Sequence, residues 1–398
     1  MVIHYPVFGG PHNQVLLLAG LLAKRGVLTT VLLPESRTGE LGNAVHRLRG
    51  AGLDVVTVPL GRVRATLDPR RQLGFFSRVP RDVQTIREVI RSRKIDMVQV
   101  GGLVNPQGAI AARLEDVPVI WQLLDTRPPM AIRRLLMPLV LRLSDVVMTT
   151  GRTVATVHPG TDRLANRLRV FFPPVDPDHF DADRADRAAA RREFGFSKDD
   201  FVLGTVGNLN PQKGHEYLLH AAARVRATEE NLKVLVVGAS HDTHRTYESE
   251  LHELCRTLHL TAGSDVVFTG GLADVRRALA AMDVFVLASV PRSEGAPTAI
   301  EEAMMMKLPV VATDVGSVRE VVDDGKTGFV VSPEDPPALA DAVLRILEDP
   351  RMREEFGQRA RDRAVALFSA EECARVHLAA YQYAIGRHER ARAGKSAA

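Results

Sequence analysis

Cysteine is nearly absent from this chain. Cys255 and Cys373 are the only two in 398 residues. They cannot build a disulfide framework and do not have zinc spacing, so the expected compartment is the reducing cytoplasm. No apolar run approaches the roughly 18 residues that a membrane span needs. No basic stretch followed by an apolar one opens the chain, which argues against a secretory leader. Neither sign of charge dominates. The formal net charge of +4 is too mild to indicate nucleic-acid binding, which wants a concentrated basic face. Lysine is scarce, 8 residues against 44 arginines, a composition that suggests a GC-rich bacterial genome. What is present is 45% hydrophobic residues, enough to bury proper cores. The length suits two domains better than one, because single cores rarely grow beyond about 250–300 residues.

Basic residues are unevenly spread. From Arg62 to Lys94 they are Arg62, Arg64, Arg70, Arg71, Arg78, Arg81, Arg87, Arg91, Arg93 and Lys94, against Asp68, Asp82 and Glu88, with Phe75 and Phe76 in the middle. One reading is a solvated loop and helix face. The other is a patch that makes peripheral contact with an anionic membrane, at its inner face, or with an acidic acceptor.

Short β-branched runs alternate with amphipathic helical runs, the pattern of α/β architecture with parallel sheets. In the first half the expected strands are Val2–Tyr5, Thr29–Pro34, Asp54–Val58, Met97–Gly101, Val117–Gln122 and Val146–Thr149. A helix is expected over Asn13–Arg25, with Gly26 as its stop. Pro173, Pro174 and Pro177 then interrupt the periodicity and mark a linker over Phe171–Arg187. A second series follows at Val202–Gly207, Lys233–Val237, Val266–Thr269, Val284–Ala288, Val310–Ala312 and Gly328–Val330. Two doubly wound halves would enclose a cleft, and ligands bind such sheets at the carboxyl ends of strands. A helical run from Ala370 to about Gly386 precedes a basic tail expected to be disordered.

Two segments carry chemistry. In GTVGNLNPQKGHEYLL a strand ends at Gly207, a polar loop holds Asn208, Asn210 and Pro211, and Lys213-Gly214 opens a helix. Helix N-terminal amides and a lysine together favour an anion. The spacing is not that of a P-loop, and a plain surface lysine is the alternative. In RSEGAPTAIEEAM, Glu294 is expected on a loop, Pro297 in the first turn of a helix, and Glu302 on the second turn of a helix over Thr298 to about Lys307. Were the span fully helical, the two acids would stand about 12 Å apart, the scale of the sugar-to-ribose separation in a nucleotide sugar. The amides of Gly295, Ala296, Pro297 and Thr298 lie in the segment between them, although proline itself contributes no N–H. The alternative is an acid favouring the helix dipole, with Glu301 and Glu302 merely solvated.

The segment SEGAPTAIEEAMMMKLPVVATDVGSVREVV, with Glu294, seven residues and Glu302, strongly resembles the retaining glycosyltransferases of family 4, which have the GT-B fold of two Rossmann-like doubly wound domains facing across a cleft. The likeness covers nearly the whole chain. GGPHNQVLLLAGLLAKRG is similar to the family's glycine loop and first helix, PPVDPDHF to its linker, VGNLNPQKG to its phosphate loop, and FTGGLADVRRALAAMDVFVLAS to its base-binding segment. The resemblance implies an acceptor-binding domain over 1–170, a donor-binding domain over 171–369, a helix over 370–387 crossing back to the first domain, and a tail over 388–398. It implies transfer of a hexosyl group from a nucleotide-diphosphate sugar to a saccharide or lipid-linked acceptor, with no metal, no cofactor and no nucleic-acid partner. Lys213 and Glu294 would be the catalytic pair, with Lys213 on the diphosphate and Glu294 at the sugar. Glu302 would hold the ribose. Gly295, Ala296, Pro297 and Thr298 would contact sugar and phosphate through the backbone, Gly9 and Gly10 would approach the phosphate, and the base would lie near Gly271 and Leu272. Retention would proceed by attack on the face the diphosphate leaves, without a protein nucleophile.

Two positions depart from the family pattern. Asn208 stands where an arginine is usual, and Leu124, in WQLLDTRPP, stands where a histidine normally lines the sugar site. These departures keep two alternatives in view: a non-catalytic nucleotide-sugar-binding protein of the same fold, and a sugar-nucleotide epimerase or hydrolase. The latter would want an acid–base set that the sequence does not display.

Overall fold

The computed structural model describes residues 1–5, 8–35, 42–61, 77–240 and 245–396. It divides into two compact units. The first comprises Met1–Pro174 with Ala370–Ala398, the second Val175–Ser369.

The first unit is built on parallel strands β1 (Thr30–Pro34), β2 (Asp54–Val58), β3 (Val98–Gly101), β4 (Val119–Leu123), β5 (Val146–Thr150) and β6 (Leu168–Phe171). β3 to β6 run in sequence order, and β1 pairs with β2. The N-terminal segment joins the two ladders. Val2 bridges Leu32 on one side and Val100 on the other, so the strand expected at Val2–Tyr5 is realised only as the two bridges of Val2. β3, β4 and β5 are buried along their whole length, which follows from near-continuous apolar sequence covered on both faces. β6 was concealed in the sequence by the prolines that follow it, and the unit boundary falls after Pro174 rather than after residue 170.

The C-terminal helix, Ala370–Ser396, belongs to this unit. Its Cys373, Ala374, Ala380, Tyr381 and Ala384 pack with Leu18, Leu22, Ile120, Met148 and Phe171. A buried polar set accompanies the apolar contact. The Tyr381 hydroxyl donates to Gln99 Oε1 at 2.7 Å. His377 Nδ1 lies 2.8 Å from the Cys373 carbonyl, which leaves Nε2 as the acceptor facing Gln14 and Gln122 at 2.9 and 3.1 Å. The helix runs on through residues 388–396, where a disordered tail was expected. His388 and Arg392 explain the extension, since both reach Asp116 (3.2 and 3.3 Å) and Arg113 donates to His388 Nδ1 at 2.9 Å.

The second unit holds one parallel sheet of β7 (Phe201–Val206), β8 (Leu232–Val237), β9 (Val266–Phe268), β10 (Val284–Leu287), β11 (Val310–Thr313) and β12 (Gly328–Val331) in the order β12-β11-β10-β7-β8-β9. The chain winds outward from β7 in one direction through β8 and β9, and in the other through β10 to β12. The strand order therefore reverses between β7 and β10. Loops leaving the carboxyl ends of those two neighbours flank the crevice where ligands of open α/β sheets bind.

Candidate functional site

Lys213 and Glu294 sit on those two loops. Between β7 and the helix His215–Arg226 a short 3-10 turn, Pro211–Lys213, carries the lysine. Gly214 caps the turn in the left-handed region (φ +61), and a Cβ there would lie 2.0 Å from the Ala288 carbonyl oxygen. Only glycine allows this turn to press against the end of β10. The Val290 amide donates to the Gln212 carbonyl at 3.1 Å and ties the two loops together.

Beyond β10, Glu294 is buried at 5% exposure. It accepts from Lys213 Nζ at 2.6 Å and from Ser289 Oγ at 2.6 Å. Gly316 (φ +54) comes within van der Waals reach of the Glu294 and Gly295 carbonyls, where a Cβ would lie 2.8 and 2.5 Å from their oxygens. The Ser317 amide donates to the Gly295 carbonyl at 2.8 Å. The acid is thus held on a braced loop, and the ion pair joins residues 81 positions apart. Pro297 takes the N-cap position of the helix Thr298–Met305, not its first turn, and the helix stops two residues before Lys307. Gly295 and Pro297 are buried; Ala296 and Thr298 are half-buried.

Neither acid of the helix is fully solvated. Glu302 is half-buried; burial of its carboxyl, then the charge of Asp274, pushes its pKa up to about 7. Asp274 follows Gly271 and Leu272, so Glu302 faces the segment expected to take the base. Gly271 packs on Ala239 beyond β8, and the Gly238 amide donates to the Gly270 carbonyl at 3.0 Å. Glu301 is fully buried, and neither of its carboxyl oxygens has a hydrogen-bond partner. Burial, then the neighbouring Glu302, raises its pKa well above the ordinary carboxylate range. The alternative expectation, a merely solvated Glu301, does not hold. Its register with Met304 and Met305, three and four positions on and both buried, was the signal available.

Replacing Glu301 by leucine removes two buried unsatisfied acceptors, each worth about 1–3 kcal/mol. The second unit's melting temperature is expected to rise about 3–8 °C at neutral pH. The pH dependence has a definite sign. Both acids have folded pKa values above 4.5, so the unfolded chain loses these protons first, and stability drains away as pH climbs from about 4.5 through 7. The melting difference between Glu301→Leu/Glu302→Gln and the parent should therefore widen over that window. A constant difference, measured by calorimetry, contradicts it.

Asn208 is exposed. Its carbonyl oxygen lies 3.3 Å from His215 Nε2, and it brings no charge to the loop. In the first unit, Gly9 caps the helix Gly10–Ala23. Its φ of −168 is open to any residue, and nothing lies within 4 Å of a Cβ at Gly9 or Gly10, so the backbone itself does not demand glycine there. His12 braces this loop: Gly9 N–H lies 3.2 Å from Nδ1, and Nε2 lies 3.1 Å from the Tyr5 carbonyl. Both ring nitrogens face backbone. Leu124 packs against the cluster that includes Leu18, Ile120 and Met148. Among the described residues no group of three or more His, Cys, Asp or Glu side chains could hold a metal ion, and no helix is long and apolar enough to cross a membrane. Arg62, Arg64, Arg70, Arg71, Phe75 and Phe76 lie outside the described residues. Of the rest of the basic stretch, Arg87 and Arg91 pair with Glu115 at 2.6 Å each, and Arg93 pairs with Asp54 at 3.2 Å.

Comparison with known proteins divides along the same two units. Residues 9–178 match the family model for the glycosyl transferase 4-like domain, and residues 186–363 match that for glycosyl transferases group 1. The chain is 36% identical over 205 residues to D-inositol 3-phosphate glycosyltransferase 2 of Catenulispora acidiphila, covering 50% of this chain and 46% of that protein. It is 28% identical over 307 residues to the alpha-D-kanosaminyltransferase of Streptomyces kanamyceticus, covering 71% and 77%. The chain thus spans about half the length of the first relative. The crystal structure of Anabaena Alr3699/HepE in complex with UDP has the same fold, with a TM-score of 0.79 at 22% identity over 96% of this chain and 98% of that one; that protein has also been solved with UDP-glucose.

Proposed function

This chain is related to the family 4 glycosyltransferases and has their GT-B fold of two Rossmann-like units; from that premise we propose that it moves a hexosyl group, with retention, from a nucleotide-diphosphate sugar to a saccharide or lipid-linked acceptor. The observation that carries the proposal is the Lys213–Glu294 pair, a half-buried lysine and a buried acid on adjoining loops at the point where the strand order reverses. In this reading the donor's diphosphate recruits Lys213, whose charge stabilises the leaving group without a metal. Glu294 holds the sugar, the backbone of Gly295 to Thr298 contacts sugar and phosphate, and Glu302 takes the ribose beside a base near Gly271 and Leu272. Gly9 and Gly10 contribute an open loop to the phosphate. Acceptor binding falls to the first unit.

A thermal-shift screen of UDP-, GDP- and ADP-sugars tests donor use, since a ligand of the native state raises its stability. One donor class is expected to raise melting by several degrees, equally with and without EDTA. No shift from any of them contradicts the reading. The uncharged Asn208 and apolar Leu124 favour a second reading, a nucleotide-sugar-binding protein without turnover. It requires the same shift but no transfer.

Peripheral contact with an anionic membrane would rest on the Arg62–Arg78 part of the basic stretch, because the part from Arg87 onward is largely paired with acids. Co-flotation with vesicles containing anionic lipid should be lost when Arg70, Arg71 and Arg78 become serine. Equal flotation counts against it.

A further inference from the structure

His215 opens the helix that follows Lys213 and is 1% exposed. Its ring lies 6.3 Å from that of Tyr247, centroid to centroid, and its Nε2 lies 3.3 Å from the Asn208 carbonyl oxygen. A carbonyl only accepts, so Nε2 carries the proton and donates. Burial, opposed by the Asn208 carbonyl and assisted by the charge of Lys213, pushes the pKa of the ring down to about 4. The ring is therefore neutral at pH 7 and brings no second positive charge to Lys213.

That bond takes the place of a strand. On the β8 side, the Gly207 amide donates to the Val237 carbonyl at 2.9 Å and the Leu209 amide to the Ala239 carbonyl at 3.0 Å. Backbone groups alternate sides along an extended segment, so the Asn208 carbonyl between them faces the β10 side. β10 pairs with β7 at Leu203 and Gly204 and does not follow the chain out to Asn208. His215 supplies the donor that the sheet lacks there.

Lys213 rests on the same spot. A Cβ at Gly207 would lie 3.5 Å from both Cδ and Cε of Lys213, so the lysine stem lies along the backbone just before Asn208. The loop after β8 presses on that backbone too: a Cβ at Gly238 would stand 1.9 Å from the Gly207 carbonyl oxygen. Gly207 and Asn208 thus form the bed of the Lys213 side chain, and His215 ties that bed to the helix.

We infer that His215 is a positioning residue for Lys213: it clasps the start of the loop to the start of the helix and so fixes the ammonium that meets the donor's diphosphate. The inference rests on the glycosyltransferase reading and deepens it. His215 acts through the backbone under Lys213 and not by contact with the ligand.

The test uses the full chain and calorimetric titration with UDP, GDP and ADP and with the matching monophosphates. The parent should bind one nucleoside diphosphate at least tenfold more tightly than its monophosphate, because Lys213 favours the second phosphate. His215→Phe keeps a buried ring but loses the N–H. It should cut that ratio at least threefold, while His215→Gln, which keeps a donor, retains most of it. In a Lys213→Ala background His215→Phe should change the ratio no further. A packing role alone would lower the melting temperature and leave the ratio unmoved. In the parent, nitrogen NMR of labelled histidine should show a neutral His215 ring with its proton on Nε2 at pH 7, a readout that needs no variant to fold. An unchanged ratio in His215→Phe, an equal fall with and without Lys213, or a ring proton on Nδ1 alone overturns the inference. If the parent binds a diphosphate and one of these is seen, only the role of His215 is wrong. If the parent binds no nucleoside diphosphate, the donor reading has failed as well.

Discussion

Lys213→Ala is expected to lower kcat for sugar transfer by about 10²–10³-fold, the usual cost of removing one preorganised donor from a developing oxyanion. The leaving diphosphate gathers negative charge as the glycosidic bond breaks, and Lys213 is the cation on the loop that follows β7. Asn208, the other polar side chain at the start of that loop, is exposed and uncharged, so it offers no second cation to share the load. The same substitution takes the charge of Lys213 away from the buried Glu294, at a cost of about 1–3 kcal/mol in stability. Glu294→Ala should also suppress turnover severely. Because the two residues act as a unit, the double variant should be little worse than the poorer single one. If the pair were purely structural, both single variants would melt earlier yet retain kcat in the fraction that remains folded. Steady-state kinetics on the folded fraction distinguishes these outcomes.

Gly214→Ala is expected to be among the more damaging single methyls at the candidate site. The new Cβ would require left-handed backbone and would stand 2.0 Å from the Ala288 carbonyl oxygen. The obstruction is backbone and not the tip of a flexible side chain, so the turn must shift as a whole. Strain and displacement together should cost about 3 kcal/mol or more. A shift near 1 Å at Lys213 should lower turnover about 10²-fold on its own. Gly9→Ala offers the contrast: its φ of −168 is open to any residue, and nothing lies within 4 Å of the added carbon, so its melting temperature should be unchanged. Comparable losses of stability in the two variants, measured by calorimetry, would refute the account of Gly214.

Much of the scaffold was legible because its central strands are buried and so read as valine-rich, largely apolar runs, as in β8 (LKVLVV) and β11 (VVAT). The loops after β7 and β10 were legible for the same reason, each following such a run and ending in a helix start. What escaped was whatever depends on a partner far along the chain. The Lys213–Glu294 ion pair spans 81 residues. The last turns of the C-terminal helix look like a polar tail until Asp116 and Arg113 are placed beside His388. β6 was hidden because Pro173 and Pro174 draw attention to the linker, although Leu168–Phe171, one residue ahead of them, pair with β5. Glu301 was a different miss. Its neighbour Glu302 carries the family spacing, and one step of about 100° around the helix separates a half-buried acid from one enclosed with Ile300, Met304 and Met305.

The central claim is that Lys213, Glu294 and Glu302 grip one nucleotide-diphosphate sugar at the carboxyl edge of the second unit's sheet. Calorimetric titration of the full chain with UDP-, GDP- and ADP-sugars, repeated on Lys213→Ala, Glu294→Ala and Glu302→Gln, tests it most directly. The account predicts that one donor class binds the parent with a single site and that each substitution weakens that binding at least tenfold. Binding of equal strength in all four proteins, or no binding of any nucleotide sugar by the parent, would contradict it.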